Sequence, residues 1–166
     1  MVQLGRKTAM EETILLSYKE GDSFYEITCD EYTDKSCCGD FYDEENAFKQ
    51  RNMVETGFDY SMAGYGWGVG EFSPIYTYDI KNMYEQVSLL KSGKIDFLHC
   101  IFESPISDVD CYVEIIMEKV NQQYEALFAI LDDLDCVEFG KFFTEEELDE
   151  QLKNIKNCMD QFPVRV

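Results

Sequence analysis

The stretch that decides the fold runs from Ser107 to Leu134 and reads SDVDCYVEIIMEKVNQQYEALFAILDDL. Its large apolar side chains fall within one arc of about 120° when successive residues are placed about 100° apart, as they are on an α-helix. Ser107 is a good N-cap residue, and Asp108 and Asp110 give the acidic first turn that the helix dipole favours. The spacing therefore predicts one long amphipathic helix over about 107–134.

A final helix is predicted nearer the C-terminus. Thr144 and Glu147 have the spacing of a capping box, in which each side chain bonds the other residue's backbone N–H. Apolar residues then recur at helical spacing as far as Phe162, and Pro163 cannot continue the helix. The pattern predicts a helix over about 145–162.

The first half has strand-like patterns. Two β-prone runs at 13–18 and 24–28 flank a turn-forming cluster, which indicates a hairpin. A shorter helix is expected over 79–93, and residues 95–102 are apolar on both faces, as in a central strand. With no linker or repeat in the sequence, residues 1–166 are expected to form one α+β domain. It would have an N-terminal antiparallel sheet or hairpins with loops, and a helical C-terminal half.

Acidic residues dominate the charge of the chain. Asp and Glu number 34 against 14 Lys and Arg, for a formal net charge of −20. Phosphate-binding surfaces need clustered Lys and Arg, and so do proteins held at anionic membranes. We therefore expect no direct contact with nucleic acid and none with a membrane.

Several acids share one flank of the predicted long helix. They are Asp110, Glu114, Glu118, Glu125 and Asp132. Carboxylates repeated about every 6 Å along a helix would imitate a row of phosphates. A solvated face is the simpler interpretation, because charge runs are most often that, and both interpretations stay open here.

A glycine-rich segment, Gly64–Gly70, contains Tyr65 and the single tryptophan, Trp67. A phosphate-binding loop is disfavoured, because acidic and strand-like residues follow the segment instead of a helix N-terminus. Two interpretations remain, a turn or strand with glycine bulges and a contact loop. In the second, Tyr65 and Trp67 would anchor a partner.

Catalytic chemistry has little support in the sequence. His99 is the only histidine, and a strand would direct it and the neighbouring Cys100 to opposite faces. The seven cysteines lack the spacing of a zinc site, so they are expected to be reduced thiols. We find no calcium loop, phosphate loop or hydrolase motif. The expectation is a protein that is not an enzyme, with no metal and no cofactor.

These observations lead to a hypothesis of inhibition by nucleic-acid mimicry. The acidic face would occupy the basic groove of a nucleic-acid-processing protein, as phage anti-CRISPR and anti-restriction proteins do, so the expected partner is a basic nuclease or CRISPR effector. One alternative is an immunity protein that neutralises a basic nuclease toxin. A second alternative is a small cytoplasmic enzyme or adaptor.

The expected location is the cytoplasm, that of the host cell if the protein is phage-encoded. No apolar run is long enough to span a bilayer, and no apolar segment follows Arg6 and Lys7 as it would in a secretory signal. A homodimer is a further possibility, because Cys111, Ile115 and Ala129 would form a second apolar patch on the back of the predicted long helix.

Overall fold

Two four-stranded sheets and three helices make up the computed structural model, which describes residues 13–32, 44–62, 66–103, 112–131 and 136–166. The strands are β1 Thr13–Glu20, β2 Ser23–Tyr32, β3 Met53–Met62, β4 Gly66–Tyr76, β5 Phe97–Glu103, β6 Tyr112–Val120, β7 Gln123–Leu131 and β8 Cys136–Phe143. The helices are α1 Glu44–Arg51, α2 Thr77–Lys91 and α3 Glu145–Gln161.

The two sheets have the same topology. The first has the order β1-β2-β3-β4 and the second the order β5-β6-β7-β8, and every pairing is antiparallel. A helix follows each sheet and packs against an edge strand of the other one, α2 against β5 and α3 against β1. The predicted helical C-terminal half is therefore wrong, because most of that half is the second sheet.

Over residues 112–131, the predicted long helix is replaced by the β6–β7 hairpin. Val120 pairs with Gln123, so the hairpin closes with the two-residue loop Asn121–Gln122. Asn121 has a φ of 59°, in the left-handed region that two-residue hairpin loops need and that a helix interior excludes. Valine and isoleucine are frequent in β6, and these β-branched residues favour strands.

Burial along β7 confirms a period of two instead of 3.6. Tyr124, Ala126 and Phe128 are buried, whereas Glu125 and Leu127 between them are exposed. The helical arc and the strand alternation are both present in this stretch, and tertiary burial of one sheet face selects the strand.

Substitutions at Asn121 should separate a hairpin loop from a helix. At a left-handed position Asn121→Ala should lower the free energy of unfolding by about 1 kcal/mol relative to Asn121→Gly. A helix would give the opposite order, because alanine stabilises a helix interior by about 1 kcal/mol relative to glycine. Urea unfolding measures the difference, with the same pair of substitutions at Gln122 as the control. A more stable alanine variant at position 121 would contradict the hairpin.

The final helix forms as the sequence indicated. Thr144 Oγ1 accepts a hydrogen bond from the Glu147 amide at 3.2 Å, and the Glu147 carboxylate accepts one from the Thr144 amide at 3.2 Å. The α2 helix begins at Thr77, two residues before the start expected at position 79, and the side chain of its N-cap residue Tyr76 makes no capping hydrogen bond. In the described part of the chain, no helix is both long and apolar enough to cross a membrane.

Strand β5 is an edge strand, not the central strand that its apolar sequence suggested. Leu98, Cys100 and Phe102 face the core, whereas Phe97 and Ile101 are exposed. The run is apolar on both faces although only one face is buried within this chain. The apolar residues on the second face are therefore unexplained by folding.

One hydrophobic core joins the two halves. Its buried side chains come from both sheets and from α2 and α3, without a break between them. A bulge in β1 between Ile14 and Leu16 directs Leu15 and Leu16 inward together, so that two consecutive residues are buried at 1% exposure.

Helix α3 covers the free edge of β1. The Ser17 amide donates to Gln151 Oε1 at 3.1 Å, and the Cys158 thiol donates to the carbonyl of Ile14 at 3.2 Å. Lys141 Nζ, from β8, donates to the carbonyl of Lys19 at 3.3 Å. These side-chain bonds satisfy backbone groups that an exposed edge would offer to another chain.

A buried asparagine anchors the C-terminal segment. The Asn52 side chain is fully buried and makes four hydrogen bonds. Its Oδ1 accepts from the Thr77 hydroxyl at 2.8 Å and from the Arg165 amide at 2.7 Å. Its Nδ2 donates to the carbonyls of Phe48 at 2.9 Å and Arg165 at 2.8 Å. Tyr32 adds a hydrogen bond to the carbonyl of Pro163 at 2.7 Å.

Replacing this asparagine should destabilise the whole fold. Asn52→Leu removes four bonds of about 1 kcal/mol each and leaves their partners buried, so we expect a loss of at least about 3 kcal/mol. Asn157→Leu, at an exposed position of α3, should change stability by no more than about 0.5 kcal/mol. Urea unfolding compares the two. A similar small effect at both positions would show that the network is not a determinant of stability.

Candidate binding face

The second sheet covers the core with one face and leaves the other to solvent. On that other face, three of the residue rows that cross all four strands are described with their side chains. The rows are Phe97, Glu118, Glu125 and Phe142; His99, Ile116, Leu127 and Gly140; and Ile101, Glu114, Ala129 and Glu138. We call these positions the outer face.

The outer face is unusually apolar for a surface. Relative exposures are 54% for Phe97, 51% for Phe142, 43% for Ile101 and 38% for Leu127. Only Ile14 and Val166 are comparably exposed large apolar residues among those the structure describes. Gly140 leaves a gap beside Leu127, because nothing lies within 4 Å of where its Cβ would be. Clustered exposure of this kind marks an interaction surface more often than isolated exposed residues do.

Two glutamates interrupt this apolar surface. Glu118 and Glu125 are directly opposite each other on β6 and β7, and both are exposed. Like charges in this arrangement destabilise a sheet. Among the described side chains no cation pairs with either carboxylate. Phe97 and Phe142 end the same row, about 14 Å apart at the usual strand spacing.

Glu114, in another row of the outer face, has a partner. His99 Nε2 lies 2.6 Å from Glu114 Oε1, and the imidazole is 41% exposed. The pair is a surface hydrogen bond between neighbouring strands. The adjacent Cys100 is buried on the opposite face, as the alternation of a strand requires.

The sheet brings three of the predicted partner-binding residues together, though not in the predicted way. Glu114, Glu118 and Glu125 share the outer face because β6 and β7 are antiparallel. On a helix they would have formed a line along one flank. Asp110 and Asp132 lie outside the described residues.

The glycine-rich segment is in part a strand. Residues 66–70 belong to β4, and Trp67 pairs with Ser61 of β3. Tyr65 lies outside the described residues, so its predicted role in a contact loop is still a prediction. The strand interpretation of the segment holds for residues 66–70.

The expected dimer patch does not exist as a surface. Ile115 is fully buried in the core, and Ala129 points to the opposite face of the sheet at 6% exposure. Cys111 lies outside the described residues. The patch was predicted for one side of a helix. In the hairpin, Ile115 and Ala129 point to opposite faces of the sheet.

The sequence interpretation missed the apolar members of the outer face. Phe97, Ile101, Leu127 and Phe142 were assigned to the core or left without a role. The signal was present, because a strand with only one buried face needs apolar residues on that face alone, and residues 95–102 are apolar on both faces.

The three described thiols are all buried. Burial raises the pKa of Cys100 to about 11. The pKa of Cys29 is also raised, by a hydrogen bond with Cys158 and by burial. Neither thiol, nor that of Cys158, shares a face with His99, so none of these three thiols forms a Cys–His dyad. No group of three metal-ligating side chains occurs in the described ranges.

The raised pKa predicts an unreactive Cys100. At pH 8 a thiol with a pKa of about 11 is ionised in roughly one molecule per thousand, and only the thiolate is alkylated. Iodoacetamide should therefore modify Cys100 at least ~10-fold more slowly in the folded protein than in urea. Peptide mass spectrometry over time measures both rates. Equal rates would show that Cys100 is accessible in the folded protein.

Comparison with known proteins gives only distant similarity. No protein-family model matches the sequence, and no curated protein does either. Two solved structures are similar in topology. The plant transcriptional regulator PBF-2 has a TM-score of 0.46 at 10% identity, covering 91% of this chain and 82% of that one. WHY1 from Arabidopsis thaliana has a TM-score of 0.47 at 11% identity, covering 91% of this chain and 90% of that one. No residue role follows from similarity of this degree.

These findings correct the predicted function. The acidic helix that was to imitate a row of phosphates is a hairpin, and one of its carboxylates is bonded to His99. The mimicry hypothesis is therefore wrong. The predicted basic nuclease or effector partner is wrong with it, as is the exclusion of direct nucleic-acid binding.

Proposed function

We propose that this protein is a non-catalytic binding protein whose outer face docks a partner protein. The observation that carries the proposal is the exposure of Phe97, Ile101, Leu127 and Phe142 on one open sheet face. Folding of this chain alone gives no reason for apolar residues there, whereas burial against a partner would remove their surface from water.

The outer face resembles a binding surface in its composition as well as its exposure. Interfaces place aromatic anchors where a partner can exclude water from them, and a few such residues contribute most of the affinity. Phe97 and Phe142 are candidates for these anchors. Leu127 lies in the neighbouring row, next to the gap at Gly140, which would receive a partner side chain.

The glutamate pair defines the chemistry of the partner more narrowly. Glu118 and Glu125 repel each other in the free protein, and a cation placed between them would remove the repulsion. One guanidinium can bond two carboxylates at once. The partner surface would thus be mainly apolar, with a single arginine near its centre. Affinity would come from apolar burial, so it would depend little on salt.

Single-stranded nucleic acid is a second candidate ligand for the same face. Exposed aromatic rings on an open sheet can stack with unpaired bases, and Phe97 and Phe142 are two such rings. The outer face carries no lysine or arginine for the phosphates, and Glu118 and Glu125 lie between the two rings. This charge is the reason that we place the protein partner first.

A photo-crosslinking experiment distinguishes the two ligands. Benzoylphenylalanine would replace Phe97 or Phe142 in the cells that make the protein, and Glu85 on the exposed side of α2 would be the control position. A protein captured from both outer-face positions but not from position 85 supports the proposal. Capture of nucleic acid from those positions would assign the second ligand, and equal capture from all three positions would contradict a dedicated face.

Truncation of one aromatic anchor should weaken binding without harming the fold. Phe142→Ser is expected to reduce affinity for the captured protein at least ~10-fold, the effect of a typical anchor residue. Its free energy of unfolding should change by no more than about 0.5 kcal/mol, because the ring is half exposed. Calorimetric titration and urea unfolding give the two values. Phe142→Ser binding that equals wild type would rule out an anchor at this position.

The glutamate pair provides a matched electrostatic test. Glu118→Gln should weaken binding, because the partner's cation would lose one of its two carboxylates. Glu146→Gln removes the same charge from an exposed position of α3 and should leave affinity unchanged. If the two variants lose affinity equally, net charge and not the local pair accounts for the effect.

A further inference from the structure

A cleft of about 310 Å³ lies on another side of the molecule, where the edge strands of the two sheets meet beneath α3. Ser17 and Lys19 of β1 line one wall, Lys141 and Phe143 of β8 a second, and α3 contributes Glu150 and Gln151. The volume is at the lower end of the range for small-molecule sites. The cleft is independent of the outer face, which is on the other surface of the second sheet.

Gln151 is the residue that points to a ligand. It is 7% exposed, and its Oε1 accepts the hydrogen bond from the Ser17 amide at 3.1 Å. That bond fixes which end of the side-chain amide is oxygen, because a backbone N–H needs an acceptor. The NH₂ group of Gln151 then has no acceptor among the described residues. A buried donor without an acceptor is costly, so the side chain is suited to an acceptor supplied by a bound molecule.

The charges around the cleft are partly satisfied within the chain. Lys141 Nζ pairs with the Glu147 carboxylate at 2.8 Å and also donates to the Lys19 carbonyl at 3.3 Å. The Lys141 ammonium lowers the pKa of Glu147, so this pair is ionised and mutually neutralised. The Lys19 ammonium and the Glu150 carboxylate are exposed, and neither pairs with another described side chain. The cleft thus offers one unpaired positive charge and one unpaired negative charge.

We propose that this cleft binds a small zwitterion of the size of a free amino acid. The carboxylate of the ligand lies between the Lys19 ammonium and the Gln151 NH₂ group, and its ammonium faces Glu150. Phe143 and Ile14 form the apolar part of the lining and accept an aliphatic side chain. Such a molecule pairs with both charges, supplies an acceptor for the buried donor and fits the volume of the cleft. A simple anion or cation would leave one of the two charges unpaired.

The first test uses three probes of nearly equal size with the purified full-length protein. L-leucine has both charges, isocaproate lacks the ammonium, and isoamylamine lacks the carboxylate. Each is titrated to about 10 mM while NMR monitors the amide of Ser17 and the side chain of Gln151. The proposal predicts saturable shifts with leucine and at least ~10-fold weaker binding of both analogues. No shift with leucine, or equal binding of an analogue, would overturn it.

The second test uses variants with matched controls. Gln151→Met keeps the volume and removes the amide, so leucine affinity should fall at least ~10-fold. Lys19→Gln and Glu150→Gln should each weaken binding several-fold, and these exposed substitutions preserve the fold even if Gln151→Met does not. Lys153→Gln and Glu146→Gln remove the same charges from exposed positions of α3 outside the cleft, and they should bind leucine like wild type. Equal effects in test and control variants would refute the assignment.

Discussion

The antiparallel pairing of β6 and β7 around Asn121 is the constraint on which the other features depend. The two-residue loop fixes the register, and a shift of one residue would exchange the inner and outer faces of both strands. In the observed register Ile115, Met117 and Phe128 enter the core. The same register aligns Glu118 with Glu125 and leaves Leu127 exposed. The register of one hairpin therefore determines both which residues enter the core and which form the candidate binding face.

The cleft exists because each helix packs against the sheet that it does not follow in sequence. Because α3 follows the second sheet but packs along β1 of the first, it covers the place where the two sheet edges approach each other. Gln151 is on the buried side of α3 and bonds the free edge of β1. The bond that protects the edge also orients the unused donor in the cleft. Architecture thus explains the cleft without any sequence motif for a ligand.

Local signals in the sequence predicted some elements and failed for others. The capping box at Thr144 and the turn before β2 are encoded by a few adjacent residues, so they were predictable. The alternation of a strand and the arc of a helix coexist over residues 112–131, and only packing against α2, α3 and the first sheet selects between them. Asn121 and the β-branched residues of β6 were the local clues to a hairpin. The sequence contained a signal for a second apolar face on β5, but the cross-strand rows of the outer face depend on register and could not be predicted.

The open face of the second sheet can be tested directly by solvent paramagnetic relaxation of methyl groups in solution. A soluble paramagnetic agent should strongly relax the methyls of Ile101 and Leu127 on the outer face. The methyls of Ile115 and of Ile155 on α3 should be protected, because both residues are fully buried. Ile115 is next in sequence to residues of the outer face but points to the core. Equal protection of all four residues in the monomer, or strong relaxation of Ile115, would contradict the hairpin register and the binding face that follows from it.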